Sequence, residues 1–254
     1  MLFFGLNPQA CTKIVDSHRG DARGGLKGLW RAGIDSPRML VKVCGITRQA
    51  DLDEAGRLGV NALGLNFFQK SPRFISKLLA NSLLSKWPQG VVSVGLLVKP
   101  TESTVRELVL DVPRLQWLQF HALESIPTWP VPRPWVASFA PKCPADLADI
   151  LLWLERAASC PTPPSAVLID GHAPGMEGGT GFTAPWELLR SFHPPIPWIL
   201  AGGIQPENVS QPLQFLRPDA IDVASGVEEA PGIKSAKKMA ALMDQVQKIT
   251  LKNT

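Results

Sequence analysis

MLVKVCGITRQADLDEAGRLGVNALGLNF, residues 39–67, is the stretch on which the fold turns. It opens with a short apolar run, LVKVCGI (40–46), passes through an amphipathic segment, ADLDEAGRLG (50–59), and closes on a second apolar run, ALGLNF (62–67). Apolar runs of this length are what strands buried on both faces look like, and a helical segment between two of them makes a parallel βαβ unit. The pattern then repeats along the chain. VSVGLLV (92–98), WLQF (117–120), WVASFA (135–140), AVLID (166–170), WILAGG (198–203) and AIDVAS (220–225) read as further strands. STVRELVLD (103–111), ADLADILLWLERAA (145–158) and IKSAKKMAALMDQVQKI (233–249) read as helices, and the helical signal is weakest over 123–133. Eight strands and roughly eight helical segments predict an α/β fold, a closed (β/α)8 TIM barrel over residues 39–254. A doubly wound open sheet matches less well, because no GxGxxG follows the first strand.

Residues 1–38 show neither period and are broken by Gly20, Gly24, Gly25, Gly28 and Gly33. They read as a flexible extension outside the fold, either a targeting segment or a start assigned too early, since Met39 opens the first convincing strand. Asp16, Asp21 and Asp35 argue against a targeting peptide.

The composition narrows the function. With 254 residues, 45% apolar and 19% charged, the chain has the material for one large core. No apolar run approaches the ~18–20 residues of a membrane span. Cys11, Cys44, Cys143 and Cys160 lie far apart without a CxxC pair, which argues for a reducing compartment, the cytoplasm, and against a metal ribbon. The sequence pI of 9.0 suggests nucleic acid until the charge is located. Residues 1–38 and 234–254 supply +3 and +4 of a formal +4, leaving the middle at −3. A nucleic-acid footprint is a stripe on the folded domain, so nucleic acid is not an expected partner.

In a barrel of this kind the chemistry sits at the carboxyl ends of the strands. Lys42 and Cys44, two apart on strand 1, face the same side. Arg73 follows strand 2, His121 ends strand 4, Asp170 ends strand 6, Gly202 and Gly203 end strand 7, and Asp222 to Gly226 end strand 8. Each has a plain alternative: a strand cysteine is usually a small buried hydrophobe, an aspartate there can cap a turn, and glycines can simply turn the chain. Together, however, AGGIQPENV (201–209), with Gly202 and Gly203 just before a helix led by Pro206, and ASGVEEAPGIK (224–234) place backbone N–H groups after strands 7 and 8, the usual phosphate cradle of such barrels. The expected partner is therefore a phosphorylated small molecule.

KVCGIT (42–47), GLNFFQKSPRFIS (64–76), LIDG with EGGTG (168–181), LAGGIQPENV (200–209) and DVASGVEEAPGIK (222–234) together resemble the phosphoribosylanthranilate isomerase family. The resemblance implies a ribulose-phosphate-binding barrel, active as a monomer or homodimer. It also implies a cofactor-free, metal-free Amadori rearrangement of N-(5-phosphoribosyl)anthranilate in tryptophan biosynthesis. By resemblance Cys44 is the general base, Asp170 the general acid, and Arg73 the holder of the anthranilate carboxylate. Lys42, His121 and Asp222 are expected at the substrate, and Gly202, Gly203, Ser225 and Gly226 at its phosphate. An ordinary thiol is mostly protonated at neutral pH, so a cation should lower Cys44, and Lys42 is the candidate.

The chain departs from the family pattern in places. LQFHALE has Ala122 where the family has glycine, and FTAPW (182–186) keeps only Trp186 of that segment. The serine pair after strand 8 is reduced to Ala224-Ser225, and Ser235 replaces an aspartate. A barrel that binds without turnover would be favoured by these changes, and retention of Cys44, Asp170 and Arg73 argues against it. A sugar isomerase of the histidine pathway would carry an aspartate on strand 1, where this chain has Cys44.

Overall fold

A computed structural model describes residues 39–171 and 186–252. The extension 1–38, the EGGTG motif (177–181) and residues 182–185 of FTAPW lie outside the described residues. Eight strands form a closed barrel in chain order: β1 Leu40–Cys44, β2 Ala62–Asn66, β3 Val92–Val98, β4 Trp117–His121, β5 Trp135–Phe139, β6 Ala166–Asp170, β7 Trp198–Ala201 and β8 Ala220–Val223. Every neighbouring pair is parallel, and β8 closes on β1 with Lys42 opposite Asp222. The predicted TIM barrel is the observed fold.

Alternation along each strand explains why apolar runs make this shape. On β6, Val167 and Ile169 face outward into the main core against the helices, while Ala166 and Leu168 face into the barrel. The same split holds for Leu118 and Phe120 against Trp117 on β4, and for Leu200 against Ile199 and Ala201 on β7. Both faces are apolar because both are covered. The inward face is apolar chiefly toward the amino ends of the strands. At the carboxyl ends the same inward positions carry Cys44, Asn66, His121 and Asp170, and so the barrel's own periodicity aims polar groups at one rim.

The outer layer holds α1 Gln49–Arg57, α2 Lys77–Ser85, α3 Glu102–Asp111, α4 Pro144–Ala157, α5 Ser210–Phe215 and α6 Ala236–Lys252. Local chemistry starts several of them. The Ser76 side chain accepts from Leu79 N at α2, and Thr101 and Thr104 cap α3 reciprocally. At α4, Pro144 takes the first turn while Asp146 accepts from the backbone N–H groups of Lys142 and Cys143.

Three expectations need correction. No helix joins β4 to β5, where Pro127, Pro130, Pro132 and Pro134 remove donors and block helical turns. After β7 the chain makes a turn stapled by Asn208, which accepts from Gln205 N (2.9 Å) and donates to Gly203 O (2.8 Å), so the helix begins at Ser210 and not at Pro206. Ile233 and Lys234, read as the start of the last helix, form instead β10 (Ile233–Lys234), paired antiparallel with β9 (Glu228–Ala230). Ahead of β7, Trp186–Ser191 forms a short 3-10 turn. No described helix is long and apolar enough to cross a membrane.

Candidate active site

The carboxyl rim encloses a cavity of about 300 Å³. Cys44, Arg73, His121 and Asp170 line it, with Gly202, Gly203, Asp222 and Ser225 on the side of β7 and β8. Eight of the ten expected site residues therefore share one wall system. Asn66 and Gln119, which sequence reading passed over, line it as well. Both are inward-facing polar residues in otherwise apolar strands, a signal that was available.

The other two lie behind the wall. Lys42 is 1% exposed and does not line the cavity; its Nζ donates to Asp222 Oδ2 at 2.7 Å. Gly226 sits in the 3-10 turn Ser225–Val227, where a Cβ would fall 1.9 Å from Ile204 O. The loops after β7 and β8 can approach this closely only because that residue has no side chain. Gly202 and Gly203 both adopt the left-handed region, with φ of 87° and 66°.

Cys44 is buried, and Gly64 on the adjacent strand makes room for it: a Cβ there would meet Sγ at 2.6 Å. Burial pushes the thiol above its ordinary value, while Lys42 and Lys234 pull it down and Asp222 pushes it up. The net direction is upward, against the expectation that Lys42 would leave it lowered. Desolvation outweighs the cations here, because Lys42 is already committed to Asp222.

His121 is held neutral. Burial, and then Lys42, push its imidazolium down to about 4. The Gln119 Nε2 amide donates to His121 Nε2 at 2.7 Å, which leaves the ring proton on Nδ1. Gln119 Oε1 and Asp222 Oδ1 are buried acceptors that meet no donor among the described residues. Ala122, next to His121, has a φ of 51°, a left-handed conformation that suits glycine better than alanine.

Arg73 uses one edge of its guanidinium on Glu228: Nε to Oε1 at 2.8 Å and Nη2 to Oε2 at 2.6 Å. Burial works against the charge of Glu228, but its bonds to Arg73 and Lys234 prevail and hold the carboxyl below its ordinary range. Glu228 and Lys234 were missed from sequence. Among the described residues, no cluster of three or more His, Cys, Asp or Glu side chains is set to hold a metal ion.

The chain is similar throughout the barrel to known isomerases. The family model of N-(5'-phosphoribosyl)anthranilate (PRA) isomerase matches residues 41–245. The N-(5'-phosphoribosyl)anthranilate isomerase of Thiobacillus denitrificans is 38% identical over 214 residues, covering 82% of this chain and 97% of its own. That of Crocosphaera subtropica is 34% identical over 221 residues, covering 83% and 100%. Among solved structures, the phosphoribosyl anthranilate isomerase of Thermus thermophilus superposes with a TM-score of 0.69 at 35% identity, over 83% of this chain and all of that one. Another, in complex with reduced 1-(o-carboxyphenylamino)-1-deoxyribulose 5-phosphate, superposes at 0.67 with 25% identity, covering 83% of this chain and 99% of its own.

Proposed function

The chain belongs to the N-(5'-phosphoribosyl)anthranilate isomerase family, and from that premise we propose that it carries out the family's Amadori rearrangement with Asp170 as general acid and Cys44 as general base. The observation that carries this reading is the meeting of Cys44, Asp170, Arg73 and the glycines after β7 at one cavity. The product is 1-(2-carboxyphenylamino)-1-deoxyribulose 5-phosphate, formed in tryptophan biosynthesis.

In the proposed sequence Asp170 delivers a proton to the ribose ring oxygen as the C1′–O bond breaks, leaving a protonated Schiff base to the anthranilate nitrogen. That cation acidifies the C2′ hydrogen, which the Cys44 thiolate removes. The resulting enolamine takes a proton at C1′ and ketonises at C2′. The proton given to the ring oxygen and the one taken from C2′ are both handled by side chains, and the rearrangement moves no electrons to or from an external group. Arg73 takes the anthranilate carboxylate, since its planar fork binds a carboxylate at two points. The N–H groups of Gly202, Gly203 and Ser225 take the phosphate, and Gly226, behind them, lets the two loops close up. The buried acceptors Asp222 Oδ1 and Gln119 Oε1 suit the hydroxyl donors of the sugar. The cytoplasm is the proposed setting, in keeping with Cys44, Cys143 and Cys160 all being free thiols.

Loss of the substrate's anthranilate fluorescence tests the assignment, with substrate made in situ from anthranilate and phosphoribosyl pyrophosphate. Wild type should turn over, and Cys44→Ser and Asp170→Asn should each lose about 10²–10⁴-fold in rate. A folded wild type without turnover, or either variant at wild-type rate, overturns the acid–base pair.

A further inference from the structure

The β9–β10 hairpin brings Glu228 against Arg73 from 155 residues away, and the two side chains share two short charge-assisted bonds. Of this pair, Glu228 is the fixed member. It is 6% exposed, and its Oε1 also accepts from Lys234 Nζ (2.7 Å) and Gly232 N (3.2 Å). Lys234 is itself anchored. Its Nζ donates to Cys44 O (2.6 Å) and Ala224 O (3.1 Å) as well, three bonds that require the full ammonium. Its backbone N–H donates to Asp51 Oδ2 (3.1 Å), and its carbonyl accepts from Arg48 Nη2 (3.2 Å). The hairpin is thus tied to the ends of β1 and β8 and to the first turn of α1. The Arg73 side chain is the more exposed partner, at 23%, and its stem crosses Gly45, where a Cβ would lie 2.5 Å from Cδ.

We propose that Glu228 is a positioning residue for substrate recognition: held by Lys234, it fixes the Arg73 guanidinium so that the edge carrying Nη1 is presented to a carboxylate in the cavity. The bonds to Glu228 occupy Nε and one N–H of Nη2, leaving the end of the fork for a second carboxylate. Two cations against one carboxylate, Arg73 and Lys234 with Glu228, keep the cluster attractive to an anion. A freely rotating arginine would have to be ordered by the ligand at the ligand's expense, and the ion pair settles that ordering beforehand. This inference rests on Arg73 being the carboxylate holder, and the experiment separates the two.

Inhibition constants are measured for two stable ligands, 1-(2-carboxyphenylamino)-1-deoxyribitol 5-phosphate and its phenylamino counterpart without the carboxyl group. The ratio of the two constants reads carboxylate recognition alone. It should be large in wild type, approach one in Arg73→Ala, and fall about 10-fold in Glu228→Gln, in line with losing the charge-assisted orientation of one group. Ratios are compared for variants whose circular dichroism and cooperative melting match wild type, so that loss of folding is not read as loss of positioning. Where Glu228→Gln does not fold, Glu228→Asp keeps the charge and draws the carboxylate back by one methylene, and its ratio should be intermediate. A wild-type ratio near one, or an Arg73→Ala ratio equal to wild type, overturns the assignment of Arg73 and this inference with it. An unchanged or raised ratio in the Glu228 variant, with Arg73→Ala collapsed, overturns the positioning role alone.

Discussion

Lys42 Nζ lies 2.7 Å from Asp222 Oδ2 inside the closed barrel, with the two side chains only 1% and 7% exposed. Nothing apolar around them can replace water for either charge, so each depends on the other. Lys42→Met, which leaves Asp222 alone, should cost about 3–5 kcal/mol in chemical denaturation, and adding Asp222→Leu should recover most of it. Burial opposes the Lys42 charge, but Asp222 and Cys44 more than compensate, and its pKa is raised. The pair's contribution is therefore complete below the ordinary lysine value of about 10.4 and is lost only as pH climbs through the higher folded value. A loss below 1 kcal/mol for the single variant would show that the pair is not needed.

The same lysine acts on Cys44 by lowering a thiol that burial raises. With Cys44 as base, the rising, acid-side limb of the pH–rate profile reports formation of its thiolate. That limb should move to higher pH in Lys42→Met, and an unchanged profile removes Lys42 from the activation of Cys44.

His121 carries a pH signature of its own. Its imidazolium is pushed from the ordinary 6.5 down to about 4 by burial and then by Lys42, so the folded chain holds it neutral. The unfolded chain takes up a proton first as pH falls. Stability should be intact above about 6.5 and drop by roughly 3 kcal/mol as pH falls to 4, from the ~1.4 kcal/mol of each pKa unit. The comparison is with His121→Asn, whose stability should fall by that much less over the same window. Parallel curves for the two proteins would contradict a buried neutral ring.

Ala122 holds a φ of 51°, and a left-handed alanine costs roughly 1–2 kcal/mol that glycine does not. Glycine also loses more freedom on folding, by roughly 0.5–1 kcal/mol. Ala122→Gly should therefore raise stability by up to about 1 kcal/mol, seen as a rise of about 2–4 °C in Tm. A lower Tm would mean that the neighbouring turn has adapted to alanine.

At Gly226 an alanine Cβ would stand 1.9 Å from Ile204 O, a backbone atom that cannot swing aside. Gly226→Ala should push the loops after β7 and β8 apart and cost about 2–3 kcal/mol in stability. Competitive inhibition by inorganic phosphate should weaken at least tenfold. Wild-type inhibition by phosphate in this variant would move the phosphate site elsewhere.

The legible parts of this protein are the ones written in neighbouring residues. AVLID (166–170) is read to its last residue because its alternation is local: Ala166 and Leu168 inward, Val167 and Ile169 outward, and Asp170 next on the inward face. Cys44, His121 and Asp170 were found by that same counting. The prolines between β4 and β5 are equally local, and they break the βα repeat there. Glu228 and Lys234 were not recoverable in this way. In ASGVEEAPGIK they look like surface charges beside a turn, and nothing adjacent tells that Glu228 is buried against Arg73.

The order of strands, the closed barrel and the rim that carries the chemistry follow from local pattern, because a period of two and a strand's end need no partner to be read. What those residues do to one another emerges only in the closed barrel. Lys42 meets Asp222 across 180 residues and Lys234 meets the Cys44 carbonyl across 190. Closing the barrel buries these groups together. Burial then turns Lys42 from a wall residue into the partner of Asp222, raises the thiol that a cation was expected to lower, and sets Arg73 by a carboxylate on the far side of the chain. Desolvation and distance govern those outcomes, and neither exists until β8 has closed on β1.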